Sequence, residues 1–137
     1  MSDKRIRAEI DINAIMHNMA EMKKKLKDGC LIMPVIKADG YGHGAVRIAE
    51  ELSRLDYVFG FATATAEEAM ILKEEGITHP ILILGYTFSE DHDKLLDENI
   101  RFTVFKSDML KELSKLAGEH GRSEERRVGK ECRSRWS

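Results

Sequence analysis

Short, unbroken apolar runs recur along this chain, each followed by a segment of helical period, and that alternation restricts the fold more than any other feature. The run at residues 31–36, LIMPVI, is too short for a helix and holds no polar side chain, as expected of a parallel strand buried on both faces. Residues 45–54 read as a helix, residues 57–62 as another strand, and Thr65 with Glu68 three positions on forms a capping box for a helix ending at Gly76. Pro80 leads a third run at residues 81–84 and Gly85 turns the chain. Ser89 or a neighbour caps a helix through about Glu98, residues 100–105 make a fourth strand, and Ser107 caps the last helix. Single helices between apolar strands argue an α/β protein with a parallel sheet, either an open doubly wound sheet or a barrel; periodicity does not choose between them.

Ahead of these units, residues 5–12 alternate with Ile6, Ala8, Ile10 and Ile12 on one side, the pattern of a half-buried strand. A helix follows, capped by Asp11 or Asn13. Ile12, Ile15, Met16, Met19, Met22 and Leu26 fall at helical spacing, which assigns the methionines to the core, and Gly29 can take the left-handed position beyond the last turn.

A content of 42% hydrophobic and 34% charged residues is that of a soluble globular protein. No apolar run approaches the roughly 20 residues of a membrane span, and the start MSDKRIRAEID lacks the apolar core of a secretory signal, so a cytoplasmic protein with no membrane partner is expected. Cys30 and Cys132 are too few and too far apart for a disulfide framework or a zinc site. His17, His43, His79, His92 and His120 stand singly, without a carboxylate or cysteine at ligand spacing, and no metal site is expected.

Residues 122–137, RSEERRVGKECRSRWS, differ in kind: they hold six basic and three acidic residues, whereas the rest of the chain carries a formal charge of -5. A basic tail of this composition can bind nucleic acid or a membrane surface. It also resembles the conceptual translation of a common sequencing adapter, whose opening AGA TCG GAA GAG reads Arg-Ser-Glu-Glu, as at Arg122 to Glu125. The expectation is therefore that residues 1–121 are the authentic portion, that 122–137 is an artefactual tail with no function, and that no nucleic-acid partner exists. A complete eight-stranded barrel needs about 200 residues or more, so residues 1–121 would hold about half of one, with open edges that favour aggregation.

The chemistry concentrates in VIKADGYGHG, residues 35–44, where a lysine leaves an apolar strand end and enters a glycine-rich loop. Both parallel-sheet architectures place their sites at such strand ends. Rooted in apolar surroundings, Lys37 can lose its proton by desolvation and act as a nucleophilic amine toward an aldehyde cofactor. The plainer alternative is a lysine that snorkels to water. The loop has neither the G-x-x-x-x-G-K-[ST] order of a P-loop nor the G-x-G-x-x-G spacing of a dinucleotide fold, which argues against a nucleotide-binding module.

VIKADGYGHG resembles the pyridoxal-phosphate attachment motif of the alanine racemase family, and three further segments resemble that family in the same order: AEIDINAIMHN at residues 8–18, PILILG at 80–85 and FTVFKSD at 102–108. The resemblance covers residues 8–116. It implies a partial (β/α)8 TIM-type barrel, its N-terminal part only, with pyridoxal 5'-phosphate as cofactor. On the same ground Lys37 binds the cofactor covalently and shuttles the substrate's α-proton on one face, Tyr41 gives its hydroxyl to the cofactor phosphate, and Leu84 forms an apolar wall beside it. His43 and Asp39 belong to the motif but read as partners of neighbouring backbone, and Gly40, Gly42 and Gly44 as positions of positive φ and close approach. In the family the base for the opposite face is a tyrosine from a C-terminal β-domain of the other subunit of a homodimer. The implied activity of the intact protein is interconversion of L-alanine and D-alanine for peptidoglycan, with this chain inactive alone. A pyridoxal-phosphate-binding barrel protein of cofactor homeostasis, or a racemase for another amino acid, shares the lysine at a strand end and stays open.

Overall fold

The computed structural model describes residues 8–119. The chain divides after Thr103 into two compact units. Among its described residues the first carries five helices, α1 Ile12–Lys24, α2 Lys37–Gly42, α3 Ala45–Leu52, α4 Ala66–Glu74 and α5 Ser89–Asp97, with three strands, β1 Phe61–Thr63, β2 Ile81–Ile83 and β3 Arg101–Phe102. The second carries α6, Ser107–Glu119, whose buried Met109, Leu113 and Ala117 recur every four residues along one stripe. Residues 122–137 and the boundary expected at residue 121 lie outside the described residues.

All strand pairs are parallel. Phe61, Ala62 and Thr63 face Ile81, Leu82 and Ile83, and Leu82 and Ile83 face Arg101 and Phe102. Residues 31–36 lie along the other edge of β1, bridged at Ile32 to Val58 and at Val35 to Ala62. Each strand therefore neighbours its predecessor in the chain, and the order never reverses. A doubly wound sheet requires a reversal at its switch point, whereas a barrel adds strands in one direction. The fold is a partial α/β barrel, as the sequence led us to expect.

Residues 31–36 were expected to form a continuous strand buried on both faces, and they do not. Pro34 has no N–H to give to the ladder. Opposite it, three residues lie between Val58 and Ala62 while two lie between Ile32 and Val35, so the partner segment carries one extra residue, a bulge. Gly60 sits in that bulge because a Cβ there would collide with the Pro80 carbonyl oxygen, which already accepts from the Phe61 N–H at 2.9 Å. Burial is one-sided too, with Ile36 buried and Leu31 and Val35 exposed. The bulge also shortens the strand expected over residues 57–62 to β1, and β3, which pairs with β2 alone, is shorter than residues 100–105.

The strand expected at residues 5–12 is not found where it is described: residues 8–11 are not in a strand, and Ile12 opens α1. Asp11 explains the switch, because its carboxylate accepts from the Ala14 N–H at 3.2 Å and caps the helix. Asp11→Ala is expected to lower stability by about 1 kcal/mol, read as a drop in urea midpoint at constant slope. Met19 is buried and Met16 packs partly against the core, but Met22 is exposed, contrary to the assignment of all these methionines to the interior. At α5 the N-cap is Phe88 and Ser89 is the first helical residue, and Ser107 likewise opens α6 rather than preceding it.

One face of the sheet is covered. Phe61, Ile81 and Ile83 are fully buried in one core with Ala49 and Leu52 of α3 and Ala69 and Leu72 of α4. Alternate residues point the other way, where Val35 and Leu84 are 42% and 41% exposed.

Candidate functional site

Between residues 31–36 and α3 the sequence predicts a tight loop, and the backbone instead makes a left-handed helical turn. Ala38 (φ 51, ψ 51), Asp39 (52, 49), Gly40 (62, 38) and Tyr41 (56, 37) are consecutive left-handed residues. For L-residues this conformation costs roughly 1–2 kcal/mol each, so the three non-glycine members of the run together store about 3–6 kcal/mol. Something outside the turn must hold it.

Several partners do. Within the segment, the Gly40 N–H donates to the Ile36 carbonyl at 2.8 Å and the Gly44 N–H to the Asp39 carbonyl at 2.9 Å. The Asp39 carboxylate accepts from the Ala45 N–H at 2.8 Å and so ties the turn to the start of α3. His43 Nδ1 lies 3.1 Å from the Gly40 carbonyl oxygen and 3.0 Å from that of Tyr41. Carbonyls only accept, so Nδ1 carries the hydrogen, which fixes the tautomer. Asp39 and His43 are thus backbone partners, as read from the sequence. The glycines have positive φ, but close approach holds for Gly40 alone: a Cβ there would stand 2.9 Å from Ile48 Cδ1 and 3.3 Å from the Ala45 nitrogen.

The most distant partner is Glu68. Its Oε1 accepts from the Ala38 N–H at 2.7 Å and its Oε2 from the Ala64 N–H at 2.8 Å. The capping box read from Thr65 and Glu68 is only half present. Thr65 Oγ1 accepts from the Glu68 N–H at 3.3 Å, while the Glu68 carboxylate links the left-handed turn to the residue that follows β1. Sequence spacing revealed the pair but not the thirty-residue reach of the carboxylate.

Lys37 opens this turn. Its side chain is half-buried, so desolvation by the described residues is partial, and its Nζ lies 5.9 Å from the centroid of the Tyr41 ring, the outer range of a cation–π contact. Tyr41 is 59% exposed. Continuing the register Val35, Ala62, Leu82 by two residues puts Lys37, Ala64 and Leu84 in one row at the C-terminal strand ends, and the Leu84 N–H donates to the Thr63 carbonyl at 2.9 Å. A primary amine, a phenol and an apolar side chain there suit a cofactor with an aldehyde, a phosphate and an aromatic ring. Among the described residues no three His, Cys, Asp or Glu side chains converge as a metal site would require.

Comparison with known proteins places the chain in a family. The chain is 40% identical over 119 residues to alanine racemase of Desulfovibrio desulfuricans, covering 87% of this chain and 32% of that protein. It is 39% identical over 118 residues to alanine racemase 2 of Caldanaerobacter subterraneus subsp. tengcongensis, covering 85% and 30% respectively. The structure resembles that of alanine racemase from Clostridium difficile 630, with a TM-score of 0.78 at 35% identity over 82% of this chain and 30% of that one. The chain thus spans about a third of the length of these relatives. A family model described as "Alanine racemase, N-terminal domain" matches residues 10–126, and the chain belongs to that family.

Proposed function

We propose that this chain is the cofactor-lysine portion of an alanine racemase that interconverts L-alanine and D-alanine in the cytoplasm for peptidoglycan synthesis. Carrying this reading is the position of Lys37: it ends a parallel edge segment and begins a strained turn held by its own flanking backbone, by His43, by the start of α3 and by Glu68. Pyridoxal phosphate would supply an electron sink for the carbanion at the substrate's α-carbon. Lys37 would anchor the cofactor, and its Nζ would serve one face of the substrate's α-carbon, taking the proton there in one direction of the reaction and delivering one there in the other. Tyr41 would donate its hydroxyl to the cofactor phosphate, and Leu84 would exclude water from one side of the ring.

Racemisation needs a second base opposite Lys37. The family resemblance assigns it to a tyrosine from the partner subunit of a homodimer, within the two thirds of the relatives that this chain does not span. By itself the 137-residue chain is expected to be inactive, and robust conversion of L-alanine to D-alanine by it would overturn that half of the proposal.

The test is to mix the chain with pyridoxal phosphate, reduce with borohydride and map the modified lysine by peptide mass spectrometry. Selective modification of Lys37 supports the reading, and modification scattered over the lysines defeats it. Tyr41→Phe removes one hydrogen bond to a charged phosphate, worth about 1.5–3 kcal/mol, and should weaken cofactor binding about tenfold or more in equilibrium titration.

A further inference from the structure

The geometry points to Glu68 as a positioning residue for Lys37, an inference that rests on the reading of Lys37 as the cofactor lysine. Glu68 is half-buried, and each of its carboxylate oxygens accepts one backbone N–H from a different segment, Ala38 of the left-handed turn at 2.7 Å and Ala64, directly after β1, at 2.8 Å. Ala38 directly follows Lys37 and is the first residue of the left-handed run. Its N–H is half of the peptide that carries the Lys37 carbonyl, so the carboxylate fixes the plane of that peptide and with it the direction in which the Lys37 side chain leaves the backbone. A charged acceptor makes both bonds short and strong.

Helix capping does not require this reach. A capping-box glutamate returns to the N–H of its own N-cap residue, here Thr65. Glu68 passes Thr65 and joins the left-handed turn to the residue that follows β1, while Thr65 Oγ1 caps α4. The two roles are therefore separable by mutation: Thr65→Ala removes the cap and leaves the bridge, and Glu68→Gln leaves the cap but keeps only one of the two acceptors, since an amide nitrogen cannot accept.

Borohydride trapping of pyridoxal phosphate on the full 137-residue chain, quantified lysine by lysine, separates the outcomes. Glu68→Gln should lower the yield at Lys37 relative to the other lysines about tenfold, with Thr65→Ala close to the unsubstituted chain although its urea midpoint falls. Equal Lys37 selectivity in Glu68→Gln and the unsubstituted chain overturns the positioning role and leaves the cofactor reading intact. An equal loss in both variants overturns it as well, because capping alone would then explain the effect. Absence of Lys37 selectivity in the unsubstituted chain overturns the cofactor reading and this inference with it. Should Glu68→Gln fail to fold, amide hydrogen exchange in the unsubstituted chain decides: Ala38 must be protected as strongly as Ala64, and fast exchange at Ala38 overturns the bridge.

Discussion

Lys37→Ala is expected to abolish covalent retention of pyridoxal phosphate, with no cofactor left on the chain after dialysis and borohydride reduction, read as intact mass. The chain has twelve lysines, and any exposed amine reacts transiently with an aldehyde, so retention rather than reaction is the discriminating quantity. Among the described lysines, Lys23 is also half-buried beside a phenol, 5.7 Å from the Tyr57 ring centroid, but Lys37 adds to these features an apolar residue in the same register row. Lys37→Arg sharpens the result, since a guanidinium keeps the charge and much of the length but is not a nucleophile. Both variants should unfold within about 0.5 kcal/mol of the unsubstituted chain, because the side chain is only half-buried and closes no network. Cofactor retained in full by either variant would remove Lys37 from the site.

What the sequence disclosed followed the range of the forces involved. Helices were legible because their caps are local: Asp11 bonds Ala14 and Thr65 bonds Glu68, each within four residues. Strand existence was legible from apolar runs, but strand extent was not, since it depends on Pro34 meeting a bulge in another segment and on the single neighbour of β3. The site shows the same division. Gly40, Gly42 and Gly44 announce positive φ, whereas Ala38, Asp39 and Tyr41 carry no such signal and adopt it because Glu68, His43 and α3 hold them. Glu68 had a sufficient local explanation in the capping box, which hid its second role. Winding direction, barrel against doubly wound, depends on which strands become neighbours, and no single segment encodes that.

The two faces of the sheet should respond very differently to truncation. Phe61 is fully buried at the start of β1, with the His79 ring edge-on at 5.8 Å, and Phe61→Ala should cost about 3–5 kcal/mol in urea unfolding. That is a large fraction of the roughly 5–15 kcal/mol that holds a typical domain folded, and at the low end of that range it would leave much of the variant unfolded even without denaturant. Leu84 belongs to the opposite face and is 41% exposed; Leu84→Ala leaves water rather than a cavity and should cost roughly 1 kcal/mol or less. The comparison therefore measures whether the Val35–Leu84 face stands open in solution. A Leu84→Ala loss as large as that of Phe61→Ala would mean the face is covered. A midpoint rising with protein concentration would then identify the cover as a second copy of the chain, since only association makes stability depend on concentration. Unequal losses with no concentration dependence would leave Leu84 free to meet the cofactor ring, which its proposed role requires.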